Sequence, residues 1–197
     1  MARDAYRRLV ASYGEVVAGL PASLFEAEID RVTQGQDERL LDFSQLRQLT
    51  RSFLALYETH AGRPFPQDAQ EQLSGAIEAV FASWNADKAA EYRRINQIDA
   101  DMGTAVILQR MVFGNTGGHS GAGVGFTRDP STGEPRLWVD FLANAQGEDV
   151  VSGRRNAHGH ATLAAVAPEA WKQLQASAQA LEQHFQDMED FEFTVQD

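Results

Sequence analysis

Apolar residues recur at helical spacing along the first third of the chain. From Ala2 to Ala18 the positions Tyr6, Leu9, Val10, Tyr13, Val16 and Val17 fall on one helical face, and Gly19 with Pro21 supplies the stop. Ser23 to Thr33 repeats the pattern more weakly through Leu24, Phe25, Ile29 and Val32, before the polar run TQGQDER. Ser44 is placed to cap a third helix whose stripe is Leu46, Leu49, Phe53, Leu56 and Tyr57, ended by Gly62, Pro64 and Pro66. Residues 1–65 therefore read as an all-helical piece, and stripes at this spacing are ordinarily core. Asp68 caps a fourth helix to Trp84, with Leu73, Ile77, Val80, Phe81 and Trp84 on one face and Trp84 as a core aromatic. Asp87 starts a shorter helix through Tyr92 and Ile95.

The period then changes. Ala105 to Met111 is mostly branched or apolar, a loop carries Gly114, Gly117, Gly118, Gly121 and Gly123, and Val124 to Thr127 returns to strand-forming residues, so the pattern predicts strand, flexible loop, strand. DPSTGEP at 129–135 is a turn by composition, and Arg136 to Leu142 is a further strand. Asn144 to Glu148 breaks that strand with polar and glycine residues. Pro168 opens an amphipathic helix through Trp171, Leu174, Ala178, Leu181 and Phe185. Asp190 to Val195 alternates strictly, placing Asp190, Glu192 and Thr194 on one face of a last strand and Phe191, Phe193 and Val195 on the other.

Composition narrows the function. The chain has 197 residues, 43% of them hydrophobic, which is enough for a sizeable core in one domain or two closely packed parts. No apolar run approaches the roughly 20 residues of a membrane span, and the N-terminus has no hydrophobic signal core, so no membrane partner and a cytoplasmic location are expected. A formal charge of −11 argues against a nucleic-acid partner. With no cysteine, thiolate metal sites and disulfides are excluded, and any metal must sit on oxygen or histidine. His158 and His160 alternate within a segment read as flexible, but lack a third ligand nearby, so zinc is not expected.

Two features carry candidate chemistry. Glycines at this density let bare N–H groups approach a ligand, as a loop covering phosphates requires, although a long hairpin loop would also use them. Gly121 is followed by Ala122 and Gly123 rather than Lys and Ser or Thr, so this is no P-loop; a strand rather than a helix follows, so it is no dinucleotide fingerprint. Phosphates bound here would lie under the flap of a β-hairpin. Asp190 and Glu192, about 7 Å apart along a strand, are spaced to flank Mg²⁺ bridging nucleotide phosphates, or else form the ordinary wet side of a half-exposed strand.

Four runs resemble the nucleotide-binding domain of the pyruvate, phosphate dikinase family: AVFASWN at 79–85, QRMVFGNTGGHSGAGVGFTR at 109–128 with PSTGE at 130–134, NAQGEDVVSGRR at 144–155, and EQHFQDMEDFEFTV at 182–195. The resemblance implies an α+β fold of the ATP-grasp type with an N-terminal helical subdomain at 1–65. It further implies a first ATP-grasp part with hinge strand at 66–112, and a second with the glycine flap and metal-binding strand at 113–197. It implies ATP as substrate and Mg²⁺ as cofactor. Gln109, Met111 and Val112 would lie against the adenine and Ser120, Gly121 and Gly123 over the phosphates, with Asp140 and Glu148 in the ATP site and Asp190 and Glu192 on the metal. In the intact family ATP phosphorylates a protein histidine, and the phosphate passes to pyruvate to give phosphoenolpyruvate, so phosphohistidine and pyruvate-binding domains are the implied partners.

The chain departs from the family at Val139-Asp140, where Gly-Glu is usual, and at Ala122, where Thr is usual. The resemblance also implies cations on flanking segments that this sequence does not include. The chain by itself is accordingly expected not to be a competent kinase, and an open sheet edge is expected to favour homo-oligomers. The alternative reading is a non-catalytic interaction module or relic that keeps the fold.

Overall fold

A computed structural model describes residues 2–36, 41–151 and 158–196. The chain forms two compact units, Met1–Leu108 and Gln109–Asp197. The first is helical: α1 (Ala2–Val16), α2 (Ala22–Thr33), α3 (Phe43–Ala61), α4 (Ala69–Ser83), α5 (Asp87–Asn96) and a 3₁₀ turn at Ala100–Met102. The second mixes helices with a small antiparallel sheet: β1 (Gly121–Phe126), β2 (Trp138–Ala143), α6 (Gly147–Val151), β3 (His158–Gly159), α7 (His160–Val166), α8 (Pro168–Phe185) and β4 (Asp190–Val195). The fold class is α+β.

In the helical unit the predicted stripes of α1 to α3 meet in one core. Val10, Tyr13, Phe25, Leu49, Phe53, Tyr57 and Phe65 are buried together. The rings lock edge to face, Phe25 against Phe53 at 5.0 Å and Tyr57 against Phe65 at 5.2 Å between centroids. Helix α3 starts before the expected cap Ser44. Asp42 accepts from the Gln45 N–H at 2.8 Å while Gln45 Oε1 accepts from the Asp42 N–H at 2.9 Å, a reciprocal capping box that Ser44 cannot make from inside the first turn. Asp68 caps α4 as expected, through the N–H groups of Gln70 and Glu71.

Three expectations fail in this unit and the run that leaves it. Neither α4 nor α5 has a fully buried residue, and Phe81, Tyr92 and Ile95 are exposed. Trp84 is half-buried, covered by the Arg93 guanidinium 4.0 Å above its ring, rather than a core aromatic. The strand expected over Ala105 to Met111 forms no ladder, and Ile107 and Met111 are 86% and 57% exposed. Branched residues favour strands only where a neighbour strand offers hydrogen bonds and side chains to pack against, and no described strand lies beside this run.

The sheet has the order β3-β2-β1-β4, all antiparallel. Alternation along β4 holds: Asp190, Glu192 and Thr194 are exposed, and Phe191, Phe193 and Val195 are partly covered. The covered face carries Val139 and Phe141 against Leu163 of α7 and Trp171 and Leu174 of α8, so these helices form a second layer. Helix α7 was not legible as an element, because the segment before Pro168 offered only the stop and not the periodicity. His160 at its start stacks on Trp171, with centroids 5.6 Å apart.

Candidate nucleotide site

The ladder registers decide which side chains share a face. Val124 pairs with Asp140 on one side and Glu192 on the other, so Asp140, Val124 and Glu192 form one cross-strand row. The rows on either side are Leu142, Ala122, Thr194 and Trp138, Phe126, Asp190. Directly opposed residues project to the same face, so Asp140, Glu192, Asp190 and Thr194 stand together on the face away from α7 and α8. Adjacent strands are about 4.8 Å apart, which puts the Asp140 and Glu192 backbones about 10 Å apart across Val124. Glu192 and Asp190 are exposed, Asp140 is half-buried, and Trp138 meets Phe126 edge on at 5.6 Å at the Asp190 end.

On the opposite face the rows are Ala143, Gly121, Val195; Phe141, Gly123, Phe193; and Val139, Gly125, Phe191. A Cβ on Gly121 would overlap the Phe141 ring, one on Gly123 would come within 2.5 Å of Phe193 Cζ, and one on Gly125 within 2.7 Å of Phe191 Cζ. These glycines are spacers that let three phenylalanine rings lie across the central strand. Gly121 and Gly123 are thereby corrected from loop positions to strand positions; their period of two, matching Phe191 and Phe193, was the signal that density alone obscured.

The open part of the glycine loop lies upstream. Ser120 Oγ accepts from the N–H groups of Thr116 at 3.0 Å and Gly117 at 2.9 Å and donates to the Gly117 carbonyl at 2.7 Å, closing residues 116–120 into a tight turn. Ser120 is fully buried, while Gly118 and His119 are exposed. A second loop is stapled to this turn: the Asn144 N–H donates to the Ser120 carbonyl at 2.8 Å, Gln146 Nε2 donates to Asn115 Oδ1 at 3.3 Å, and Gly114 packs on the Ala145 carbonyl. Asp149 accepts from the Gln146 N–H at 2.9 Å and starts α6, whose first turn presents Glu148 to solvent. The polar break in the sequence is thus a short helix.

Ser120, Gly121, Gly123, Asp140, Glu148, Asp190 and Glu192 therefore belong to one sheet and the loops at its end. Gln109, Met111 and Val112 are exposed and lead into that end, where the Phe113 N–H donates to Gln196 Oε1 at 2.8 Å. Among the described residues no three acidic or histidine side chains cluster tightly enough to hold a metal by themselves. Two carboxylates on one strand suit Mg²⁺, which keeps waters and takes its remaining oxygens from phosphates.

Two cations of this unit are engaged elsewhere. Arg128 makes a two-nitrogen contact with Glu182 at 2.6 and 2.8 Å, tying the end of β1 to α8, and Arg136 binds Asp129 at 2.8 Å inside the 129–136 turn. A cleft of about 590 Å³ beside the Arg128–Glu182 pair, lined also by Thr127, Leu137 and Ala178, lies on the helix side of the sheet. The Arg128 hydrogen bond, and secondly one from Thr127, hold the Glu182 carboxyl below its ordinary value of 4.5. A lowered folded value means that the pair's contribution is fully present above that pH and is lost as pH falls through the folded value. Urea midpoints are expected to fall on acidification below pH 4.5, and Glu182→Gln to flatten that dependence; an unchanged acid profile in the variant would remove the bridge from consideration.

The chain matches a family model described as pyruvate phosphate dikinase, AMP/ATP-binding domain, over residues 3–163. It is 46% identical over 199 residues to the chloroplastic pyruvate, phosphate dikinase of Mesembryanthemum crystallinum, with 100% of this chain and 21% of the relative covered. The pyruvate, phosphate dikinase of Clostridium symbiosum is 45% identical over 200 residues, covering 100% and 23%. The chloroplastic pyruvate, phosphate dikinase 1 of Zea mays is 43% identical over 199 residues, covering 100% and 21%. The chain spans about a fifth of the length of these relatives. No helix among the described residues is long and apolar enough to cross a membrane.

Proposed function

The chain belongs to the pyruvate phosphate dikinase AMP/ATP-binding domain family, and from that premise we propose that it binds Mg·ATP on the open face of its small sheet in an ATP-grasp arrangement. The observation that carries the reading is the row Asp140, Val124, Glu192, which sets two carboxylates on the face away from α7 and α8, with the glycine turn and the Glu148 helix at its end. In this reading Glu192 and Asp190 hold the metal, which when bound neutralises phosphate charge. Asp140 and Glu148 face the nucleotide, and Gln109, Met111 and Val112 meet the adenine through backbone polar groups and apolar side chains.

The turn at 116–120 covers the phosphates, with Ser120 holding its shape from inside rather than touching the ligand. Thr194 stands opposite Ala122, so a hydroxyl remains beside the position where the family usually has one. The sheet edge at β4 is acidic, which disfavours a second copy pairing there by like-charge repulsion.

Phosphoryl transfer is mostly positioning and charge stabilisation. In this reading the chain supplies carboxylates and a phosphate-covering turn that bind and orient the nucleotide, while Arg128 and Arg136 are engaged in ion pairs. The whole activity in this reading is that of a dikinase-like phosphotransferase passing phosphate from ATP to a protein histidine and then to pyruvate, with the histidine and pyruvate sites on further domains. Calorimetry with Mg·ATP tests the binding step: saturable heat that weakens when Mg²⁺ is withdrawn is expected, and no heat at about 1 mM nucleotide would end the proposal.

A further inference from the structure

The helical unit holds a second site-like feature, independent of the nucleotide reading. A cleft of about 390 Å³ runs between α1 and α4, lined by Tyr13 and Val17 from the first helix, by Arg63, and by Glu71, Ser74, Gly75 and Glu78 from the fourth. Tyr13 is only 6% exposed, its hydroxyl lines this cleft, and that hydroxyl has no hydrogen-bond partner among the described residues. Behind it the fully buried Tyr57 hydroxyl is also unpartnered, with the two rings 6.2 Å apart. The Tyr13 hydroxyl is reached from the cleft and, with no partner among the described residues, is open to bond a polar occupant, whereas the Tyr57 hydroxyl is closed off from it.

The wall is shaped around the same atom. Gly75 stands in the interior of α4, where glycine weakens a helix, and a Cβ there would overlap the Tyr13 hydroxyl. Burial raises the Tyr13 hydroxyl above its ordinary value, Tyr57 adds to this, Arg63 opposes it, and Glu71 and Glu78 add again. The phenol therefore stays protonated and can both donate and accept, ringed by one guanidinium and two carboxylates. Arg63 makes no ion pair with either glutamate, so charges of both signs face the cleft uncompensated by each other.

We propose that this cleft binds a small zwitterion, an α-amino acid with a short aliphatic side chain. Its carboxylate meets the Arg63 guanidinium, which suits planar two-oxygen anions. Its ammonium meets Glu78 and Glu71, one polar end bonds the Tyr13 hydroxyl, and the side chain rests on Val17, Ala79 and Ala82. The volume falls in the range of small-ligand sites.

The test is titration of the full chain with L-valine, followed by the Tyr ring resonances in NMR. Saturable shifts are expected, with at least tenfold weaker binding of L-valinamide, which lacks the carboxylate, and of isovalerate, which lacks the ammonium. Arg63→Met and Glu78→Gln, both at exposed positions that leave the core intact, are each expected to weaken L-valine at least tenfold and to leave the Mg·ATP titration unchanged. Tyr13→Phe removes the floor hydroxyl while keeping the ring. No saturable shift at about 10 mM, equal binding of either analogue, or unaltered binding in the Arg63 and Glu78 variants would overturn the proposal.

Discussion

Gly123→Ala is expected to destabilise the sheet-bearing unit by about 3 kcal/mol, the upper part of the range for overpacked cores. The added methyl would lie 2.5 Å from the Asp140 carbonyl oxygen and 2.5 Å from Phe193 Cζ. A ring can swing aside, but the carbonyl belongs to strand β2 and moves only if the β1–β2 pairing shifts. The urea midpoint is the measurement. Gly118→Ala is the control, because nothing lies within 4 Å of a Cβ built there; its midpoint should stay within about 0.5 kcal/mol of the parent. If Gly123→Ala were as stable as Gly118→Ala, the stacking of Phe193 across the central strand would have to be abandoned, and with it the row that aligns Glu192 with Asp140.

The second large effect concerns the ligand. Glu192→Ala is expected to weaken Mg·ATP by about tenfold to a hundredfold, the loss of a charge-assisted contact worth about 1.5–3 kcal/mol. Glu192 is exposed on the open face, so the variant should fold with an unchanged urea midpoint, within about 0.5 kcal/mol. That separation matters, because lost binding with unchanged stability is a site effect. Asp190→Ala should weaken binding less, since Asp190 lies about 7 Å further along the strand, in the row of Phe126 and Trp138. Calorimetry on the two variants gives the ranking. Should Glu192→Ala bind Mg·ATP as tightly as the parent, the acidic face would not be the metal face.

Several elements were legible residue by residue. The Tyr6 to Val17 and Leu46 to Tyr57 stripes named most of the core of the helical unit, because a helical period shows which face is inside, although Leu9 and Val16 at the edge of the first stripe are exposed. Asp68 named its own helix start, and strict alternation fixed both the limits and the two faces of β4. Where the reading failed, local pattern was compatible with two structures. Ala105 to Met111 has strand composition, yet a strand exists only with a partner. Ser44 and Asp42 are both good caps, and the reciprocal bond of Gln45 chose Asp42. Helix α4 touches α1, but its stripe is only partly covered among the described residues, so Phe81 stays exposed.

What the sequence by itself determined is therefore everything that depends on neighbours along the chain: the helical period of α1 and α3, the two-residue period of β4, and the carboxylates of Asp190 and Glu192 on one side of it. What only the tertiary structure decided is which residues lie opposite one another. A glycine serves equally to bend a loop and to make room for a ring, and Gly121 and Gly123 make room. Asp140 and Glu192 are far apart along the chain, and they share a face because Val124 stands between them in the ladder. Side-chain periodicity reports a face; hydrogen-bond register between strands, a long-range choice, reports a neighbour.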